Sequence, residues 1–116
     1  KDTTRWFKWV HKFNAVGKVG HHVVSIYGQS KRWFEGIKAK HGFDFSLWDL
    51  RNMLPLDPGE HGGGRHRKVY HAAVQAFFET RLGNLTGKEA RKAFTDGLHE
   101  LKRLIRQNPD DWFRPQ

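Results

Sequence analysis

The sequence contains no cysteine and no long apolar run, and these absences exclude several classes of protein. Disulfide bonds and zinc sites built on thiolates both need cysteine, so neither can stabilise this chain. A membrane-spanning helix needs ~20 consecutive apolar residues, and no stretch of the sequence approaches that length. No signal peptide, internal repeat or low-complexity segment is visible either. We therefore expect a folded protein with no membrane insertion.

Acidic residues are few relative to basic ones. The chain has 21 Lys and Arg against 12 Asp and Glu, which gives a net charge of +9 and a pI of about 10.2. An excess of this size favours a polyanionic partner, most commonly nucleic acid, then an anionic membrane or an acidic protein inhibitor. A basic surface that serves only solubility is the alternative.

Aromatic residues are plentiful. Five Trp and nine Phe allow a chain of 116 residues to bury a core with few side chains, and this length fits one domain over residues 1–116. The chain opens with Lys1 rather than Met. We expect it to be a domain cut from a longer polypeptide, although a processed terminus would look the same.

The apolar pattern predicts a helix, a strand, a helix, a strand, a loop and two further helices. Their expected ranges are, in chain order, 3–14, 19–26, 31–40, 52–56, 57–64, 65–82 and 88–107. Two short strands are too few for a large sheet, so the helices must supply most of the core. The sequence therefore predicts an α+β fold that is mostly helical.

Helix ends and buried faces follow from individual residues. Ser30 is predicted to cap the helix over 31–40, Gly42 to end it, and Thr86 with Glu89 to form a capping box for the last helix. The side chains expected to face inward are Trp33, Phe34 and Ile37; Val69, Ala73 and Phe77; and Ala90, Phe94, Leu98, Leu101 and Ile105.

Histidines form the most informative pattern. His21 and His22 are adjacent in a predicted strand, where neighbouring side chains point to opposite faces. One could then bind a metal ion while the other faces a substrate, although a plain pair of polar strand residues is the simpler interpretation. His61 and His66 flank a glycine-rich turn into a helix, and imidazole is a common ligand of divalent transition metals. A flexible basic surface loop is the alternative there.

Three short motifs together resemble the AHH nuclease family of the His-Me finger, or HNH/endonuclease VII, superfamily. They are G-H-H-V-V at 20–24, N-M-L-P-L at 52–56 and H-G-G-G-R-H-R-K-V-Y at 61–70. His66 and Tyr70 keep the family's spacing, whereas Gly20 replaces its more usual Ala and His61 is one residue further from His66 than usual. The resemblance covers residues 20–82 and implies a ββα-metal core of two short strands and a helix within about 19–82, with flanking helices at about 3–14 and 87–107.

The resemblance also implies a mechanism for phosphodiester hydrolysis. His22 would be the general base, oriented by Asn52, and His21, His61 and His66 would hold one divalent metal ion. Arg65 and Arg67 could bind the substrate phosphate, or could be solvent-exposed charges at a helix start. An all-histidine shell suits Zn²⁺, Ni²⁺ or Mn²⁺, yet enzymes of this superfamily often work with Mg²⁺.

The family setting implies an antibacterial toxin or effector domain that cuts nucleic acid, with DNA favoured over RNA. Such a domain is secreted or delivered from a bacterium, acts in the cytoplasm of the target cell and is inhibited by an acidic immunity protein; a cell-surface lipoprotein origin is a further option. Two other hypotheses stay open. One is a non-catalytic, basic nucleic-acid-binding module, and the other is a structural zinc domain built on His21, His61 and His66.

Overall fold

A computed structural model describes residues 19–56 and 67–108 of the chain. The predicted helix over 3–14 and the residues His61, Arg65 and His66 lie outside these ranges. The described elements are β1 (Val19–His22), α1 (Gly28–His41), a 3-10 helix (Leu50–Asn52), β2 (Met53–Leu56), α2 (Arg67–Leu82) and α3 (Gly87–Gln107). The fold is α+β and mostly helical, as the sequence predicts.

The two strands form an antiparallel pair. His21 lies opposite Leu54 and His22 lies opposite Met53. Strand β1 ends at His22, so the prediction that it continues to residue 26 is wrong, and Asn52 closes the 3-10 helix instead of opening β2. Because β2 starts only at Met53, β1 has no strand to pair with beyond His22. The chain that follows is instead bonded to Asn52, with the Val23 amide 2.8 Å from the Asn52 carbonyl oxygen.

Helix α1 begins earlier than predicted and ends where predicted. Gly28 adopts a positive φ of 59° at its start, which glycine tolerates, and Tyr27 occupies the N-cap without a side-chain hydrogen bond. Ser30 is therefore buried in the first turn rather than capping the helix, which corrects that prediction. Gly42 ends the helix with a left-handed φ of 67°, and its amide donates to the Lys38 carbonyl oxygen.

Helix α2 turns a different face inward from the one predicted. Its buried side chains are Tyr70, Val74, Phe78 and Leu82, whereas Val69 is 51% exposed and Ala73 is also exposed. Both sets recur every four residues, so periodicity alone does not distinguish them. The Tyr70 hydroxyl bonds to the Val23 carbonyl oxygen at the end of β1, and this contact turns the Tyr70 face of the helix inward. The buried face therefore lies one residue, or about 100° around the helix axis, from the predicted face.

Helix α3 buries the stripe that the sequence predicts. Ala90, Phe94, Leu98, Leu101 and Ile105 are all fully buried. Thr86 occupies the N-cap as predicted, but its side chain makes no capping hydrogen bond. Among the described residues, no helix combines the length and the apolar character that crossing a bilayer requires.

Phenylalanine rings join the helices into one core. The Phe94 ring of α3 lies 4.6 Å from Phe78 of α2, 5.2 Å from Phe34 of α1 and 5.1 Å from Phe45 of the following loop, measured between ring centroids. Of the predicted inward residues of α1, Phe34 and Ile37 are buried and Trp33 is half-buried. This cluster fixes α1, α2 and the loop before β2, and so positions one end of the two-stranded sheet.

Candidate functional site

The end of β1 presents its two histidines to different surroundings, as expected of adjacent strand residues. His21 faces α2, where its Nε2 lies 2.7 Å from the Tyr70 hydroxyl and the two rings meet edge to face at 5.2 Å. His22 faces the loop before the 3-10 helix, where its ring lies edge to face with Trp48 at 5.6 Å. The two imidazoles can therefore perform separate tasks although they are consecutive in the chain.

Hydrogen bonding to Tyr70 fixes the tautomer of His21. The Tyr70 hydroxyl donates its single hydrogen to the Val23 carbonyl oxygen at 2.8 Å, so it can only accept from His21 Nε2. Burial raises the pKa of Tyr70 well above its ordinary value, which keeps the hydroxyl protonated. A neutral His21 therefore carries its hydrogen on Nε2 and its lone pair on Nδ1, a form that can bind a metal ion.

The Asn52 side chain binds the backbone rather than an imidazole. Its Oδ1 accepts from the Val24 amide at 2.8 Å, and its Nδ2 donates to the carbonyl oxygens of Val24 and Leu47, both at 2.9 Å. Both amide hydrogens are used, so the carboxamide has none left to donate to His22. The expectation that Asn52 orients His22 by hydrogen bonding to its ring is therefore corrected. Asn52 instead secures the chain directly after His22.

His22 is half-buried beside Trp48. Burial penalises the charged imidazolium and lowers the pKa of His22 to about 4, so its ring is neutral at physiological pH. A neutral imidazole can accept a proton, which the charged form cannot.

The remaining predicted site residues fall at the edge of the described structure or beyond it. Arg67 is the first residue of α2, while His61, Arg65 and His66 lie outside the described residues. Within 19–56 and 67–108, no three His, Asp or Glu side chains are grouped so that they could hold a metal ion. The three-histidine metal site therefore stays a prediction, and His21 is its one described member.

The sequence interpretation gave no role to Tyr70 or Trp48. The spacing of four between His66 and Tyr70 is part of the family pattern, so Tyr70 could have been suspected from it. Trp48 lies between the second predicted helix and the second predicted strand, and nothing in the sequence connects it to His22.

Two clefts flank Tyr27, whose side chain is 75% exposed and lines both of them. One, of about 490 Å³, is lined by Trp48, Phe45, Lys31 and Lys38 among others. The other, of about 230 Å³, includes Ser30, Lys68, His71 and Gln75 in its lining. His71 of the smaller cleft contacts the Tyr70 ring at 5.2 Å, and Tyr70 contacts His21. Trp48 of the larger cleft contacts His22.

Comparison of the chain with protein-family models, with curated proteins and with solved structures finds no match. A proposal about function therefore depends on the geometry around β1 and on the sequence motifs.

Proposed function

We propose that this protein is a divalent-metal-dependent endonuclease that hydrolyses phosphodiester bonds in nucleic acid, with DNA favoured over RNA. The strands β1 and β2 and the helix α2 would form a ββα-metal core. One observation carries the proposal: the end of β1 directs one imidazole, held by Tyr70, towards the helix and a second, neutral imidazole to the opposite side.

In this proposal His22 takes a proton from the attacking water. Such a base must begin neutral and must be held in one place. Burial satisfies the first requirement, since it disfavours the charged ring. Two contacts hold the base in place. Trp48 packs against the His22 ring, and Asn52 binds the backbone of Val24, which follows it.

His21, together with His61 and His66, would hold the metal ion. The chemistry of the described donor fits, because the Tyr70 hydrogen bond leaves the His21 lone pair on Nδ1. A bound divalent cation supplies charge neutralisation at the scissile phosphate and at the leaving oxygen. Arg65 and Arg67 would bind phosphate near the start of α2.

The biological setting is proposed from the same resemblance. The domain would be an antibacterial toxin or effector, secreted or delivered from a bacterium into a target cell, with an acidic immunity protein as its inhibitor. The net charge of +9 supports both a polyanionic substrate and an acidic partner.

The test is digestion of plasmid DNA and of total RNA by the purified chain with Mg²⁺, Mn²⁺, Zn²⁺, Ni²⁺ or EDTA. The proposal expects cutting with at least one metal and none in EDTA, and the substrate that is cut identifies the nucleic acid. Salt-sensitive binding of nucleic acid with no cutting under any metal would instead favour the non-catalytic binding module. Loss of folding in EDTA would favour the structural zinc domain.

A further inference from the structure

Two arginines from different parts of the chain converge on one aromatic ring. The guanidinium carbon of Arg51, in the 3-10 helix, lies 5.0 Å from the centroid of Phe45, and that of Arg91, in α3, lies 5.9 Å from the same centroid. Arg91 Nε also donates to the Asp44 carbonyl oxygen at 3.2 Å. The loop before β2 and the first turns of α3 therefore share one basic surface.

The same surface continues along α3. Arg91, Lys102 and Arg106 are eleven and four residues apart, so they lie within about 60° of one another around the helix axis. This row lies beside the buried stripe that includes Leu98 and Leu101. Its length from Arg91 to Arg106 is about 22 Å at 1.5 Å per residue. We call Arg51, Arg91, Lys102 and Arg106 the basic band.

The basic band carries little neutralising charge, unlike other cations of the molecule. On α3, Lys92 pairs with Asp96 at 2.6 Å, and Arg103 lies 3.9 Å from Glu100. In the band, Asp49 binds Arg51 at 2.8 Å, whereas Arg91, Lys102 and Arg106 pair with no carboxylate of the described residues.

The pKa of Lys102 is lowered, first by burial and then by repulsion within the band. Burial and the neighbouring charges of Arg106 and Arg51 lower the pKa of Lys102, and Asp49 only partly opposes them. Like charges held close together cost free energy that a bound polyanion would recover.

We infer that the basic band binds the sugar–phosphate backbone of nucleic acid beside the candidate active site. The inference rests on the proposed function only in taking the bound strand to be the substrate. A row of about 22 Å corresponds to the axial length of about six base pairs of duplex at 3.4 Å each, which suits a regular polyanion.

Continuity with the site favours nucleic acid over an acidic protein as the occupant. Trp48, which contacts His22, and Arg51, which begins the band, are three residues apart in one turn of chain. The band therefore begins three residues from a side chain that contacts His22, where a strand bound for cutting would pass.

The experiment measures binding of a fluorescent 30-base-pair duplex by anisotropy in EDTA, between 50 and 300 mM salt. The band variant replaces Arg91, Lys102 and Arg106 with Gln. The matched control replaces Lys40, Lys92 and Arg103 with Gln, which removes the same charge from exposed positions outside the band. Thermal unfolding of each variant, and the single exposed change Arg106→Gln, guard against misfolding.

The inference expects the slope of log K against log salt to become shallower by about 2 to 3 in the band variant, because each lost phosphate contact contributes about 0.9. The slope should become shallower by about 0.9 in Arg106→Gln and by less than about 1 in the control variant. Equal slopes for band variant and control would overturn the inference. So would poly-glutamate binding that falls in the band variant while duplex binding does not, since that marks a surface for acidic proteins.

The result is separable from the nuclease proposal. Binding that depends on the band, with no cutting under any metal, would refute the nuclease proposal and leave the binding role of the band standing. Cutting of nucleic acid, together with equal salt slopes in the band variant and the control, would refute the binding role of the band and leave the nuclease proposal standing.

Discussion

At the scale of single residues, two buried polar side chains hold the end of β1. Asn52 closes three hydrogen bonds to the backbone of Val24 and Leu47, and the Tyr70 hydroxyl joins the Val23 carbonyl oxygen to His21. Both act at long range in sequence, so both depend on the completed fold. Their removal should therefore disturb the site as well as the stability of the protein.

Asn52→Ala should lower the free energy of unfolding by about 3 kcal/mol or more. The substitution leaves the buried amide and carbonyl groups of Val24 and Leu47 without partners, and each such group costs about 1–3 kcal/mol. Urea denaturation measures the change. Asn84→Ala, at an exposed turn position, is the matched control and should alter stability by less than about 0.5 kcal/mol. Similar losses of stability in the two variants would contradict the proposed role of the Asn52 hydrogen bonds.

Tyr70→Phe should cost about 1–2 kcal/mol and weaken metal binding about 10- to 100-fold. The ring still fills the core, but the Val23 oxygen loses its donor and His21 loses the hydroxyl that fixes its tautomer. Denaturation in EDTA and calorimetric metal titration separate the two effects. Tyr27→Phe makes the same chemical change at a side chain that is 75% exposed and should alter neither quantity. Unchanged metal affinity in Tyr70→Phe would remove His21 from the proposed metal site.

The sequence indicated the histidine pair and its two faces, because strand alternation is a local rule. It could not indicate what Asn52 binds. The carboxamide reaches backbone groups 28 and 5 residues away, and only the bend of the chain after His22 brings Val24 within reach. The partner of an isolated polar residue is set by tertiary structure, which no spacing in this sequence reveals.

At the scale of helices, the contact between α2 and α3 depends on Gly97. A Cβ atom at this position would lie 2.9 Å from Phe78 Cε1 and 3.3 Å from Cδ1 of the same ring. The Phe78 ring is fully buried against Phe94, so it has little room to move. A glycine inside a helix normally lowers the stability of the protein. Here it allows the two helices to approach closely.

Gly97→Ala should therefore destabilise the protein by about 1–3 kcal/mol despite the better helix propensity of alanine. Gly36→Ala is the matched control, because Gly36 also lies within a helix but a Cβ there meets nothing within 4 Å. That variant should gain about 0.5–1 kcal/mol. Thermal and urea denaturation of both variants measure the difference. A gain in both would show that the Phe78 ring moves aside without cost.

The positions of the helices and strands along the chain were largely predictable from the sequence, and the buried faces of the helices were less so. Helix α3 has one apolar stripe and its phase follows from the sequence, since all five predicted residues are buried. Helix α2 has two candidate stripes because Val69, Ala73 and Phe77 recur as regularly as Tyr70, Val74 and Phe78. The choice between them is made by contacts of Tyr70 with β1, which are not encoded in the periodicity of the helix itself.

At the scale of the whole molecule, the coarse fold agrees with the sequence-based expectation. The described residues form an α+β, mostly helical structure with a two-stranded antiparallel sheet. Basic residues exceed acidic ones by nine, and part of that excess lies on the basic band of the 3-10 helix and α3. The proposed nuclease would use the two imidazoles at the end of β1 for chemistry and the basic surface to bind its polyanionic substrate.

The most direct measurement is the single-turnover rate of duplex cleavage by His22→Ala, beside the unsubstituted chain and His99→Ala in the same metal. His99 is an exposed histidine of α3 and controls for the loss of an imidazole. If His22 is the general base, its loss should lower the rate about 10²- to 10⁴-fold, whereas His99→Ala should stay within about twofold of the unsubstituted chain. Cleavage by His22→Ala at the unsubstituted rate, or no cleavage by any of the three proteins, would contradict the proposed function.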